Sequence, residues 1–152
     1  MSLENIEKYL NCEFPSIYKK FLEKFNENAI IVFHCNFEVI NRSNWTFVGQ
    51  KKLIEPIYSK SKQDGLKWWQ ILTYYWRDSL NKKIGKKNSL NNLDEASVRN
   101  MVAVAYDEGD ILYINVLKDF QIGVYLNDVN EVFDLNFTLE DIFSKMKVIY
   151  SD

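Results

Sequence analysis

"AYDEGDILYINV", residues 105–116, sets three carboxylates and one glycine between two apolar runs. If Asp107, Glu108 and Asp110 begin a metal site or half of an acid/base pair, the chain carries chemistry. If they form the turn of a hairpin, the flanking runs are paired strands. A calcium loop of the EF-hand kind needs alternating ligands, a glycine at its sixth position and a glutamate at its twelfth, and that spacing is absent. A glycosidase pair needs two carboxylates on opposite faces of a sugar, whereas neighbours in a tight turn point into water. A turn between Tyr106 and Ile111 needs a residue with φ above zero. Gly109 supplies it, and aspartate is at home beside it. The stretch reads as a hairpin.

Working outward, the same pattern repeats. "VRNMVAVAY" (98–106), "DILYINV" (110–116), "QIGVYL" (121–126) and "EVFDL" (131–135) are short apolar runs separated by turn residues, which predicts a β-meander. "TLEDIFSKM" (138–146) follows, with Thr138 as N-cap and Asp141 three residues on, a capping box. Leu139, Ile142, Phe143 and Met146 are the expected buried stripe of this closing helix.

Upstream, "AIIVFH" (29–34), "FEVI" (37–40) and "NWTFV" (44–48) are rich in β-branched and aromatic residues and read as further antiparallel strands. Two helices precede them. Leu3, Ile6 and Leu10 mark a short amphipathic helix with Ser2 as N-cap. Pro15 suits the first turn of a second, in which Ile17, Phe21 and Phe25 recur every four residues beside Tyr18 and Leu22. Residues 50–63 lack periodicity and are expected to be loop. "LKWWQILTYYWRDSL" (66–80) is an amphipathic helix whose apolar half holds Trp68, Trp69, Ile71, Leu72, Tyr75, Trp76 and Leu80. Residues 81–92 form a polar, basic loop.

The 152 residues suit one domain, and 47% hydrophobic content supports a core without disulfides or metals. No apolar run reaches the roughly 20 residues that span a bilayer. The opening "MSLENIEKYL" lacks the basic and apolar regions of a signal peptide. Two cysteines, Cys12 and Cys35, stand in no metal or redox spacing, so a reduced, cytoplasmic setting is expected.

Catalytic constellations are hard to assemble. His34 is the one histidine, and Cys35 beside it would point to the opposite face of a strand. Zinc is poorly served by two cysteines and one histidine. The five glycines are scattered, so no phosphate loop is visible and no cofactor is expected.

Charge is unevenly spread. Residues 51–99 carry 11 basic and 5 acidic side chains, and residues 100–152 carry 3 and 10, leaving that last segment at −7. The lysines Lys82, Lys83, Lys86 and Lys87 behind the aromatic helix raise a nucleic-acid reading for residues 66–87. The overall charge of −2 argues against it, because phosphate neutralisation supplies most nonspecific affinity.

Two separated stretches carry a family likeness. "IEKYLNCEFPSIYKKFLEKFNEN" (6–28), through Glu7, Phe14, Pro15, Tyr18, Phe21, Leu22 and Asn26, resembles the opening of the SMI1/KNR4, or SUKH, superfamily. The Gly-Asp turn, the strand around Gly123 and the final helix resemble that family's later half. Glu27 departs from the pattern, standing where the family usually has glycine. Residues 51–97 match nothing in the family and read as this chain's own elaboration of a single domain over 1–152. The resemblance implies an α+β fold with a mainly antiparallel sheet flanked by helices, no catalytic residues, and action by binding. Bacterial members look like immunity proteins that neutralise cognate polymorphic toxins, many of them nucleases; fungal members act as regulatory scaffolds. On that footing the expected partner is a protein toxin, not a membrane. The expected contact residues are Asp107, Glu108, Asp110, Asp119, Asp128 and Glu131, meeting a basic surface.

Overall fold

The computed structural model describes residues 2–25, 27–33, 44–57, 65–81, 89–136, 138–143 and 146–151. The expected strand over 37–40, His34, Cys35, Asn26 and the lysines at 82, 83, 86 and 87 lie outside the described residues.

The Asp-Glu-Gly-Asp stretch is a hairpin turn. Strand β3 (Met101–Asp107) pairs with β4 (Asp110–Asn115), and Asp107 faces Asp110 across a two-residue loop. Both loop residues are left-handed, Glu108 at φ 50° and Gly109 at φ 101°. Two positive φ angles give the primed turn whose twist matches the flanking strands. The meander continues through β5 (Gln121–Leu126) and β6 (Glu131–Asp134), each antiparallel to the strand before it.

Strands β1 (Ala29–Phe33) and β2 (Trp45–Phe47) extend the sheet from β3. A last strand, β7 (Met146–Ser151), pairs antiparallel with β1. Among the described residues the sheet is therefore seven-stranded, in the order β6-β5-β4-β3-β2-β1-β7. With helices on it, this is the α+β architecture expected from the sequence.

Cross-strand partners share a face, so the register sorts the side chains. Phe47 pairs with Ala105 and Thr46 with Tyr106, which puts Phe47 and Tyr106 on opposite faces. On the Phe47 face lie α2 (Ser16–Lys24) and α6 (Leu139–Phe143). Phe21 of α2 sits 5.5 Å from Phe47 and 4.8 Å from Phe143, ring centre to ring centre. On the Tyr106 face lie a 3₁₀ turn (Trp68–Gln70) and α4 (Ile71–Asn81). Trp68 meets Tyr106 edge-on at 6.1 Å, and Tyr75 stacks on Tyr125 at 5.2 Å. Because both faces are covered, Met101 to Ala105 are all buried, and β3 reads as a continuous apolar run rather than an alternation.

The N-terminal signals have local causes. α1 (Ser2–Leu10) ends at left-handed Asn11, and the Glu7 carboxylate then accepts the Phe14 N–H at 2.7 Å. Lys19 of α2 reaches the same carboxylate at 3.2 Å, so Glu7 fixes the break between the two helices. Pro15 stands at the N-cap of α2, just outside the first turn. Phe14, Tyr18, Phe21 and Leu22 are all buried in one core, yet the Tyr18 hydroxyl has no hydrogen-bond partner among the described residues.

Several expectations need correction. Gln50–Leu53 form a short helix, α3, within the stretch read as loop, held by the fully buried Leu53. Val98 and Arg99 belong not to a strand but to α5 (Glu95–Arg99), whose N-cap Asp94 accepts the Ser97 N–H at 2.8 Å. The closing helix does show the Thr138–Asp141 box, with Thr138 N–H donating to Asp141 at 2.9 Å and Asp141 N–H to Thr138 at 3.3 Å. It stops at Phe143, however, and Met146 opens β7 instead of ending the helical stripe. On α4, Leu80 is exposed while Thr73 and Ser79 are buried. Ser79 is the residue that faces the sheet in the last turn, where its hydroxyl accepts from Asn130 at 3.2 Å. The described residues of 51–97, the stretch read as this chain's own elaboration, supply Leu53, Trp68, Trp69, Leu72 and Leu90 to the same core as the meander.

The outer strand β6 is capped at Val132 by Ser89. Ser89 donates its hydroxyl to the Val132 carbonyl at 3.3 Å and accepts the Val132 N–H at 2.6 Å. Its own N–H goes to the Glu131 carboxylate at 3.0 Å.

Candidate functional site

In a meander, alternate turns fall at the same end of the sheet. The β3–β4 turn and the β5–β6 turn (127–130) are therefore neighbours, and a hydrogen bond joins them: Asn127 N–H donates to Asp110 Oδ1 at 2.8 Å. The second turn is held from below as well. Asn130, left-handed at φ 54°, accepts from the Tyr125 hydroxyl at 2.7 Å and donates to Ser79 and, at 3.4 Å, to Asn91. Both tips are thus fixed to the sheet and to α4, a frame that presents side chains at small entropic cost.

Five of the six sequence-predicted contact residues come to this end: Asp107, Glu108, Asp110, Asp128 and Glu131. Glu108 and Asp128 are exposed, and Asp107 and Asp110 are half-buried. Glu131 is spent inside the molecule, where its carboxylate takes the Ser89 N–H. Asp119 is not part of the group. It lies in the β4–β5 connection at the opposite end of the sheet, about 17 Å away along β4 at roughly 3.4 Å per residue.

Two further residues belong to the acidic end. Asp78 of α4 lies close enough to act on Tyr125. Burial, with Tyr75, Asp110 and Asp78 beside it, pushes the Tyr125 hydroxyl above its ordinary range. Val129, in the β5–β6 turn next to Asp128 in sequence, is 54% exposed. The sequence signal for Val129 was its place in "NDVN", because a β-branched residue is out of character in a tight turn.

The aromatic segment proposed as a stacking surface is used for packing. Trp68 and Trp69 are buried, Tyr75 is stacked on Tyr125, and the Trp76 indole N–H donates to the Leu93 carbonyl at 2.9 Å. A wider cleft of about 600 Å³ opens between α1 and the start of α4, where Tyr9 carries the Arg99 guanidinium 4.7 Å above its ring. Among the described residues no three His, Cys, Asp or Glu side chains are grouped so as to hold a metal ion, and no helix is long and apolar enough to cross a membrane.

No family model, curated protein or solved structure matches the chain.

Proposed function

We propose that this chain acts by binding another protein, as an immunity protein that neutralises a cognate toxin by masking a basic surface. The observation that carries this is that Asp107, Glu108, Asp110 and Asp128 fall at one end of the sheet, on two turns joined by a hydrogen bond, where Val129 is exposed and Asp78 acts on the same Tyr125 as Asp110. An apolar centre inside a charged rim is how protein interfaces are commonly built. Carboxylates of one sign raise the association rate with a basic partner and disfavour wrong partners. A nuclease that grips phosphate offers such a surface. The family resemblance of residues 6–28 supports the immunity role, which would be exercised in the cytoplasm.

Co-expression tests the proposal. A toxin whose gene lies beside this one should arrest growth alone and not in the presence of the chain. Purified toxin domain and chain should associate at a rate that falls as salt rises, on the scale of the ~10 Å Debye length at 0.1 M. The triple reversal Asp107→Lys, Glu108→Lys, Asp128→Lys should slow association more than it speeds dissociation. Undiminished protection by that variant would refute the surface. A toxin neighbour that neither binds nor is neutralised would refute the immunity role.

A further inference from the structure

A cavity of about 200 Å³ opens on the α4 face of the sheet, at the end away from the hairpin tips. Leu93, Met101, Leu117 and Val132 form its apolar wall. Its polar side is built from Tyr113, Lys118 and Asp134, with Ser97 and Asn115. The strand register aligns Tyr113, Gly123 and Asp134 in one row across β4, β5 and β6. The Tyr113 ring lies over Gly123, and its hydroxyl donates to Asp134 Oδ1 at 3.3 Å. The Lys118 ammonium rests on the other oxygen of the same carboxylate.

Among the described residues this ion pair leaves capacity unused. An ammonium has three donors and a carboxylate about four acceptor positions, and the contacts above take one and two of them. A ligand with both charges can therefore dock on the pair without breaking it, its carboxylate on Lys118 and its ammonium on Asp134. The apolar wall takes the side chain that branches from the carbon joining the two charges. A dry cavity of about 150 Å³ holds a benzene ring, so this one admits a body of roughly eight non-hydrogen atoms.

The rim adds a second observation. The loop that carries Leu117 and Lys118 ends in two successive left-handed residues without being glycine, Asp119 at φ 52° and Phe120 at φ 59°. Backbone strain of this kind is concentrated at ligand clamps. Leu117 is 61% exposed at the mouth, an apolar side chain in reach of whatever fills the cavity. The geometry points to a binding site for a small zwitterion with an apolar body, a free α-amino acid of the leucine or methionine type. It lies at the other end of the meander from the carboxylates of the hairpin tips and does not depend on them.

The test is an amide-resolved NMR titration of the whole chain with L-leucine and L-methionine, run beside isoamylamine and 4-methylpentanoate, which are leucine without its carboxylate and without its ammonium. Saturable shifts at Leu93, Met101, Leu117 and Val132 with millimolar affinity are expected for the amino acids. The single-charge analogues should bind about tenfold or more weakly, the worth of one charge-assisted hydrogen bond. Lys118→Gln, at an exposed position, should keep the fold and its spectrum while weakening both amino acids to the level of isoamylamine. Absence of shifts in the cavity at tens of millimolar amino acid overturns the site. Equal binding of the single-charge analogues overturns the zwitterion assignment, and so does unchanged affinity of Lys118→Gln.

Discussion

Gly123→Ala is the substitution whose effect the structure fixes most tightly. The backbone there is ordinary strand, not left-handed, so alanine is conformationally acceptable. What forbids it is the Tyr113 ring: a Cβ at 123 would overlap the ring carbon Cζ and the hydroxyl oxygen. The ring is 1% exposed and its free side is the cavity it lines, so it must leave its site over Gly123. Displacing a buried aromatic resembles truncating it, which costs about 3–5 kcal/mol. Losing the hydroxyl contact to Asp134 adds about 1 kcal/mol, and replacing glycine with alanine returns about 0.4–1 kcal/mol through the unfolded chain. The net expectation is a loss of about 3–5 kcal/mol, or on the order of 10 °C in melting temperature for a chain of this size. Urea denaturation of Gly123→Ala, Tyr113→Ala and the double variant measures it. Once the ring is gone, alanine at 123 should cost less than about 1 kcal/mol, leaving a coupling of at least about 2 kcal/mol. A wild-type midpoint for Gly123→Ala, or additive costs in the double variant, would refute the reasoning.

Other expectations follow from single features. Tyr18→Phe should leave the fold intact and raise stability by about 1–3 kcal/mol, because it removes a buried hydroxyl without a partner; a destabilised variant on thermal melting would show that the hydroxyl is satisfied. Phe21→Ala should cost about 3–5 kcal/mol by melting, since Phe21 joins Phe47 and Phe143 between helix and sheet. The Asp94 carboxyl is held below its ordinary range by the Ser97 side chain and then the Ser97 N–H. Its folded value being lowered, its contribution is complete above the unfolded value near pH 4 and is lost as pH falls through the folded one. Asp94→Asn should therefore flatten the acid limb of the stability curve, read from denaturation midpoints between about pH 2 and pH 5.

Local chemistry made much of the fold legible. The Asp-Glu-Gly-Asp turn, the four runs of the meander and the Thr138–Asp141 box are each decided within a few residues, and each stands in the structure. Where two signals overlapped, the sequence misled. Met146 continues the spacing of Leu139 and Ile142, yet "MKVIYS" is also a strand, and pairing with β1 decides in favour of the strand. The helix α5 is so short that Val98 passed for the first residue of β3. The candidate site was half visible. That Asp119 lies apart from Asp110 and Asp128 follows from the alternation of turns in a meander, a consequence of topology rather than of composition. The row of Tyr113, Gly123 and Asp134 needed the register of three strands, which no local pattern encodes.

Ser89 has a consequence for how this molecule meets others. A sheet's outermost strand ordinarily offers bare amides that any extended chain can zip onto, and proteins manage that hazard with charges, bulges or covers. Here one hydroxyl occupies both the N–H and the carbonyl of Val132, and the Glu131 carboxylate locks the serine in place. Strand addition onto β6 is thereby obstructed at Val132, for strangers and for copies of the chain alike. Recognition through this side of the protein must be read from side chains and turn tips, which makes it selective. An alanine at 89 would trade that selectivity for an adhesive border.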